Sequence, residues 1–232
     1  IPDVFQNHHP DWSGDGGITD LACDYRLLVD NLMDLTHETY VHGSSIGNDA
    51  VAEAPFTVRH TDENVFLTRW MLNIDPPPFF KKQLGKPGNV DRWQMITFHT
   101  ASTVTIDVGV APTGTGAPEG DRSEGLSGFV IHTATPVDAN TCRYFWAFLR
   151  NYKLADQRLT TEWREAARRI FGEDKTVLEL QQKAVEQYPD REFYFLNIDG
   201  GAMWARRLVD RKVSVENGEQ ETTKLILRQA AG

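Results

Sequence analysis

Three patterns of hydrophobic and polar positions follow one another along the chain, and the first leads from a strand into a helix. Residues 17–31, GITDLACDYRLLVDN, mix alternation with an apolar run and predict a strand. Residues 30–47, DNLMDLTHETYVHGSSIG, interleave apolar and polar side chains as a short helix does. We expect this helix to break at Gly43, because glycine commonly ends helices.

The second pattern is typical of β-structure and covers most of the chain between residues 54 and 152. Residues 54–75 are β-prone on both sides of the turn TDEN and predict a hairpin. Residues 76–88, PPPFFKKQLGKPG, predict a helical turn that prolines start and Gly85 helps to close. Residues 90–152 are rich in Val, Ile, Thr, Phe and Trp and predict the main sheet.

The third pattern is helical and begins at Asp156. Apolar residues three and four apart predict two helices joined at Gly172, and residues 200–217 predict a last helix. The order of strand, helix, antiparallel sheet and long C-terminal helices predicts an α+β fold of the helix-grip kind (START/Bet v1-like). In such a fold a curved antiparallel sheet and the helices enclose a pocket.

Composition limits the classes of partner. The 232 residues include 40% hydrophobic residues, enough for one large domain, and 24 Lys and Arg against 33 Asp and Glu give a net charge of −9. This charge disfavours nucleic acids and anionic membranes, so we expect neither as a partner. Cys23 and Cys142 form no CxxC or CxH pattern, which excludes a cysteine-ligated cluster and indicates a cytoplasmic location.

His37 and His42 are the first candidates for chemistry. They resemble the HExxH motif of zinc proteases but are five residues apart, which places them about 140° apart on a regular helix at about 100° per residue. A hydrolytic zinc helix is therefore disfavoured. The two rings could still meet at one metal if the helix ends or bulges between them. The alternative is an ordinary pair of hydrogen-bonded histidines.

A third metal ligand would have to come from another part of the chain. Asp174, in FGEDKTVLELQQ, is the best carboxylate candidate, with Glu173 and Glu179 as competitors. At the expected helix start, however, an aspartate more commonly serves to cap backbone N–H groups, and spacing alone favours that role for Asp174. The Gly-rich residues 111–125 are a weak candidate for phosphate binding, because Pro118 interrupts them and no helix follows.

Six stretches along the chain carry a resemblance to a known family. They are CDYRLLVDNLMDLTHETYVHGSSIG, LGKPGNVDRWQ, DVGVAPTGTGAPEGDRSEG, RYFWAFLRNY, FGEDKTVLELQQKAV and NIDGGAMWARRLVDR. Together they resemble the catalytic domain of the Rieske non-haem iron oxygenases, and the likeness runs from about residue 1 to 215. Within that family the chain is most similar to oxygenase components that demethylate vanillate.

The resemblance implies a mononuclear Fe(II) held by His37, His42 and Asp174, a set of ligands that leaves positions open for dioxygen. It also implies that Asp34 is an acid that bridges a ligand histidine to the electron-donating cluster. Asn31 would lie close to the iron without being a strong ligand.

The resemblance also implies a substrate site. His132 matches a substrate-contacting histidine of a related demethylase, although a histidine satisfied within the sheet is an equal alternative. Val108, Val110 and Trp163 are apolar candidates by neighbourhood. The implied reaction is the oxidative O-demethylation of vanillate to protocatechuate and formaldehyde, with O2 and with electrons from NADH through a reductase and a Rieske cluster.

The family's [2Fe–2S] Rieske cluster needs two cysteines and two histidines in CxH and CxxH pairs, which this chain lacks. We therefore expect the cluster only in a full-length protein, with residues 1–15 as a linker, 16–218 as the catalytic domain and 219–232 as a tail. The resemblance further implies a homotrimer. The alternative from another class is a non-catalytic helix-grip module that binds a small molecule.

Overall fold

The computed structural model describes residues 2–47 and 49–218, so the expected tail over 219–232 lies outside the described residues. Seven strands and six α-helices are described, together with short 3₁₀ turns. They are β1 (Ser13–Leu21), α1 (Tyr25–Met33), α2 (Glu38–Val41), α3 (Asp49–Glu53), β2 (Phe56–His60), β3 (Asn64–Ile74), α4 (Pro78–Leu84), β4 (Val90–His99), β5 (Thr103–Pro112), β6 (Leu126–Pro136), β7 (Cys142–Arg150), α5 (Gln157–Gln187) and α6 (Gly200–Glu216).

The described strands form one sheet in the order β1-β7-β6-β5-β4-β3-β2, and every neighbouring pair is antiparallel. Helices α1, α5 and α6 pack on its concave face. Their apolar side chains meet those of β3 to β7 in a single buried cluster that includes Leu28, Phe98, Tyr144, Phe171 and Leu208. The predicted α+β fold with a curved antiparallel sheet is therefore confirmed, as are the hairpin, the proline-started helix, the main sheet and the last helix.

The region before the histidines differs from the prediction. Tyr25–Met33 is a helix, whereas the expected strand ends at Leu21. The Asp24 side chain starts this helix by accepting a hydrogen bond from the Arg26 N–H at 2.9 Å. Leucines at helical spacing then point into the core, so helical burial prevails over strand propensity. The expected linker over 1–15 overlaps the start of β1.

The helix expected to break at Gly43 is divided earlier and ends earlier. Asp34 adopts an extended conformation after α1, Leu35–His37 form a 3₁₀ turn, and α2 ends at Val41. Each division changes the direction in which the following side chains point. This local irregularity allows histidines five residues apart to approach one another.

The prediction of two helices joined at Gly172 is wrong, because α5 is one continuous helix of 31 residues that includes this glycine. Its buried stripe continues on both sides of the glycine, from Leu159 and Trp163 to Leu178. Packing of that stripe against the sheet outweighs the cost of about 1 kcal/mol for a glycine inside a helix. Asp174 consequently lies in the middle of a helix and caps no helix start. Among the described helices, none is long and apolar enough to cross a membrane.

Replacement of Gly172 by alanine tests this continuity. A Cβ at this position would meet no atom within 4 Å, so Gly172→Ala should raise the free energy of unfolding by about 0.5–1 kcal/mol. Urea unfolding followed by circular dichroism measures the change. Gly109→Ala is the control and should destabilise, because its Cβ would lie 2.1 Å from the Trp93 ring. A loss of stability in Gly172→Ala would contradict a continuous α5.

Candidate metal centre

The turn after α1 fixes the orientation of His37. The Asp34 side chain accepts a hydrogen bond from the Thr36 N–H at 2.9 Å and so caps the 3₁₀ turn. The Asp34 carbonyl lies 2.6 Å from His37 Nδ1 and accepts its proton. With Nδ1 held by the backbone, Nε2 is the ring nitrogen left for another ligand, as is usual for metal-binding histidines.

His42 is held in a similar way from a different element. It directly follows α2, it is 1% exposed, and its Nδ1 lies 2.7 Å from the Glu173 carboxylate of α5. A carboxylate on Nδ1 fixes the ring and makes the opposite nitrogen a better electron donor. His42 Nε2 therefore faces the same region as His37 Nε2.

Asp174 completes the group. Its Oδ1 lies 3.3 Å from His37 Nε2 and 3.0 Å from His42 Nε2. One nitrogen from each ring and one carboxylate oxygen lie within 4.8 Å of one another. The two rings meet edge to face, with centroids 5.2 Å apart. The structure thus brings together the three residues that the sequence singled out.

Electrostatics couple the three groups. Although burial alone would lower it, the hydrogen bond and charge of Asp174 raise the pKa of His37 to about 9. Burial also opposes the charged form of His42, yet Asp174 and Glu173 raise its pKa above the usual range. Burial would raise the pKa of Asp174, but hydrogen bonds from both histidines hold it well below its ordinary value. Without a metal, protons on the imidazoles balance the buried carboxylate.

The donor set fits a divalent metal ion. Two imidazole nitrogens and one carboxylate oxygen match the facial triad of non-haem iron oxygenases, in which the other positions stay open. Both histidines have their second nitrogen occupied, by the Asp34 carbonyl and by Glu173, so each ring can offer Nε2 alone. A cation at the common point of the three atoms would take the place of the two protons.

A cavity opens beside these residues, between the concave face of the sheet and α5. The space between its lining residues, including the open space at its mouth, is about 720 Å³. The metal-binding group forms one wall, and aliphatic and aromatic side chains form most of the rest, among them Ile106, Phe148, Ile170 and Phe171.

Three of the four residues predicted to contact substrate line this cavity, namely Val108, His132 and Trp163. The fourth, Val110, does not line it: it lies two residues after Val108 on β5 and is fully buried in a cluster with Phe80 and Val90.

Two of the cavity residues carry unused polar atoms. His132 Nδ1 lies 2.6 Å from the Tyr144 hydroxyl, while His132 Nε2 has no hydrogen-bond partner among the described residues. Trp163 Nε1 is likewise buried and unpartnered in the described part of the chain. Buried polar groups are usually paired, so two unpaired ones beside a cavity point to a ligand or to water.

Asn31 and Asp34 lie close to the metal-binding group in sequence but line no part of the described cavity. Asn31 is in the last turn of α1, and its Nδ2 is buried without a partner among the described residues. Asp34 contributes its side chain to the cap and its carbonyl to His37, as described above. Glu179, a competitor for the third ligand, instead accepts from the Ala22 N–H at 3.0 Å.

Sequence reasoning missed several supporting residues. Glu173, a candidate for the third metal ligand, instead binds His42 Nδ1. Its position next to Asp174 could have indicated this role, because one turn of a helix can bring both carboxylates to the same histidine. Glu38, Arg92 and Gln94 form a buried polar network beside the cavity. No local sequence pattern indicates it, because its members come from α2 and β4.

Comparison with known proteins gives a consistent set of relatives. The family model of the vanillate O-demethylase oxygenase C-terminal domain matches residues 21–214. A vanillate O-demethylase oxygenase subunit of Pseudomonas sp. (strain HR199 / DSM 7063) is 40% identical over 96% of this chain and 64% of that protein. A toluene-4-sulfonate monooxygenase system iron-sulfur subunit of Comamonas testosteroni is 36% identical over 94% of this chain and 64% of that protein.

A solved structure shares the fold closely. The crystal structure of dicamba monooxygenase bound to 3,6-dichlorosalicylic acid has a TM-score of 0.87 and 27% sequence identity, over 94% of this chain and 64% of that chain. The present chain therefore spans 64% of the length of each of these three proteins.

The burial of His132 makes a testable prediction about its charge. Burial lowers the pKa of His132 from 6.5 to about 3, so the ring should remain neutral in the folded protein at about pH 5. Because the unfolded chain then binds the extra proton, His132 should reduce stability as pH falls from 6.5 towards 3. Side-chain ¹⁵N NMR, assigned with His132→Gln, measures the charge state. A protonated ring at that pH would contradict the buried position.

Proposed function

The chain belongs to the family of vanillate O-demethylase oxygenase C-terminal domains, and we propose that it is the catalytic part of an Fe(II) oxygenase that demethylates aryl methoxy acids. The resemblance read from the sequence is confirmed at the level of the family. The observation that supports the proposal best is the convergence of His37, His42 and Asp174 at the wall of an apolar cavity.

Vanillate is the substrate we propose, because the relative with 40% identity is a vanillate O-demethylase oxygenase subunit. The reaction consumes O2, NADH and a proton. One oxygen atom enters a C–H bond of the methoxy group and the other leaves as water. The resulting hemiacetal breaks its C–O bond to give formaldehyde and the phenol, here protocatechuate. The iron, when bound, supplies the activation of dioxygen.

The residues of the cavity bind and orient the substrate in this proposal. Apolar walls such as Val108 and Phe148 enclose the ring and exclude water. We infer that the Tyr144 hydroxyl, 2.6 Å away, donates to His132 Nδ1, so that the neutral ring presents Nε2–H to the cavity. That group and the Trp163 indole N–H provide two local donors for a carboxylate or phenolate. Local donors matter because the net charge of −9 repels an anion at long range.

The electron supply involves partners in this proposal. A reductase takes electrons from NADH and passes them to a Rieske [2Fe–2S] cluster, carried by a part of the protein other than this chain. We propose that Asp34 is the acid that links that cluster to His37; its backbone carbonyl already accepts the proton of His37 Nδ1. In the same proposal Asn31 lies close to the iron without being a strong ligand. We propose a homotrimer, in which the cluster of one subunit serves the metal centre of its neighbour.

Iron loading tests the ligand assignment directly. Under anaerobic conditions the protein should take up about one Fe(II), and alanine at His37, His42 or Asp174 should abolish uptake, since three protein ligands hold the metal. Glu173→Gln should keep the iron but weaken its affinity by about 10-fold or more, as expected for a partner of a ligand histidine. A colorimetric iron assay after desalting measures both effects.

The control is His9→Ala, which changes an exposed histidine beside Asp11 and should leave iron uptake unchanged. An Asp174→Ala protein that holds iron as well as the parent would contradict the assignment of the third ligand.

Substrate binding tests the function itself. In calorimetry, the iron-loaded protein should bind vanillate, and His132→Ala or Trp163→Phe should each weaken binding by about 1–3 kcal/mol, the effect of removing one buried hydrogen-bond donor. Trp163→Phe keeps an aromatic wall, so its effect reports mainly on the N–H group. Val110→Ala is the matched control outside the cavity. Tight binding of a long-chain fatty acid, with no response to vanillate, would favour the binding-module alternative.

A further inference from the structure

Glu38 is a further carboxylate beside the metal-binding group, and the proposed function does not use it. It follows His37 directly in the chain and lines the same cavity as His37, His42 and Asp174. Its side chain is 7% exposed. A second carboxylate that reached the metal would complete a four-ligand site and fill a position that an oxygenase must keep open.

Two residues of β4 bind the Glu38 carboxylate through hydrogen bonds. Arg92 donates to Glu38 Oε2 at 2.9 Å, and Gln94 Nε2 lies 2.9 Å from both oxygens of Glu38. Arg92 and Gln94 are 2% and 0% exposed. Hydrogen bonds to an ionised carboxylate in such a buried setting are stronger than neutral ones.

The backbone reinforces this arrangement. The other terminal nitrogen of Arg92, Nη1, donates to the Ile46 carbonyl at 2.9 Å. One guanidinium therefore joins the start of α2 to the segment beyond His42. Gly47 packs so closely on the Glu38 carbonyl that a Cβ at this position would lie 1.9 Å from that oxygen. The chain from Glu38 to Gly47 is therefore closed on itself around His42.

We propose that Arg92 and Gln94 are positioning residues that hold the Glu38 carboxylate away from the metal, so that Asp174 is the one carboxylate that binds it. This inference rests on the proposed iron site. A buried ion pair can also serve the fold alone. The two explanations differ in what happens when Glu38 loses its charge.

The test compares Arg92→Met, Glu38→Gln and the double variant, each loaded with Fe(II) and exposed to nitric oxide, whose adduct with an open iron position is counted by EPR. Arg92→Met should keep its iron but lose roughly 10-fold in nitric oxide affinity, the scale of one charge-assisted hydrogen bond. Glu38→Gln should bind nitric oxide with the same affinity as the parent protein. Arg92→Met/Glu38→Gln should recover the adduct, since the amide is a poor ligand.

Three results would overturn the proposal. Unchanged nitric oxide affinity in Arg92→Met would show that Glu38 is not restrained by Arg92. A double variant as weak as Arg92→Met would assign the pair to the fold alone. A parent protein that takes up no iron would overturn the proposed function together with this inference, and the iron assay detects that case separately. If Arg92→Met does not fold, Gln94→Leu replaces it in the test, because this variant keeps the ion pair between Arg92 and Glu38. Its loss of nitric oxide affinity should likewise be reversed when Glu38→Gln is added.

Discussion

The Asp174 carboxylate, shared between His37 and His42, is the contact on which the rest of the site depends. A buried carboxylate is costly unless charges or hydrogen bonds compensate it. Here both imidazoles do so, at 3.3 and 3.0 Å from the same oxygen. The partners come from separate elements, one from the middle of α5 and two from the turns after α1. The fold must therefore bring α5 and the segment after α1 together at this carboxylate.

Two features of the backbone allow these elements to meet. Helix α5 has to be long and continuous, so that its apolar stripe packs on the sheet and carries Asp174 and Glu173 to the histidines. The segment after α1 has to be irregular, because a regular helix would place His37 and His42 on different faces. The break at Asp34 meets that need and also supplies the carbonyl that orients His37.

The sheet is more than an apolar surface. Its concave face is largely aliphatic and aromatic around the cavity, but β3 and β4 bury Arg69, Arg92 and Gln94, with Arg69 and Gln94 as direct neighbours across the two strands. Arg69 donates to the Thr36 hydroxyl at 3.1 Å, one residue before His37, while Arg92 and Gln94 hold Glu38, one residue after it. Buried donors of the sheet thus bracket His37 on both sides.

Much of the fold was predictable from local pattern. The hairpin, the proline-started helix, the strands between residues 90 and 152 and the last helix follow from alternation, turn residues and helical spacing, which act over a few residues. The predictions that were wrong concern residues 25–31, expected as part of a strand, and Gly172, expected as a helix break. Both depend on packing between distant segments, which outweighs a local preference of about 1 kcal/mol.

The sequence by itself determined the class of fold, through its hydrophobic patterns, and the family, through its resemblance to known oxygenases; that resemblance also implied which three residues converge. Only the tertiary structure decided how they meet: which ring nitrogens face Asp174, that Glu173 holds His42, that Val110 lies away from the cavity, and that Glu38 is tied to the sheet. The reason is physical. Each of these facts is a contact between side chains from separate elements, and such contacts are fixed only when the helices and the sheet pack together.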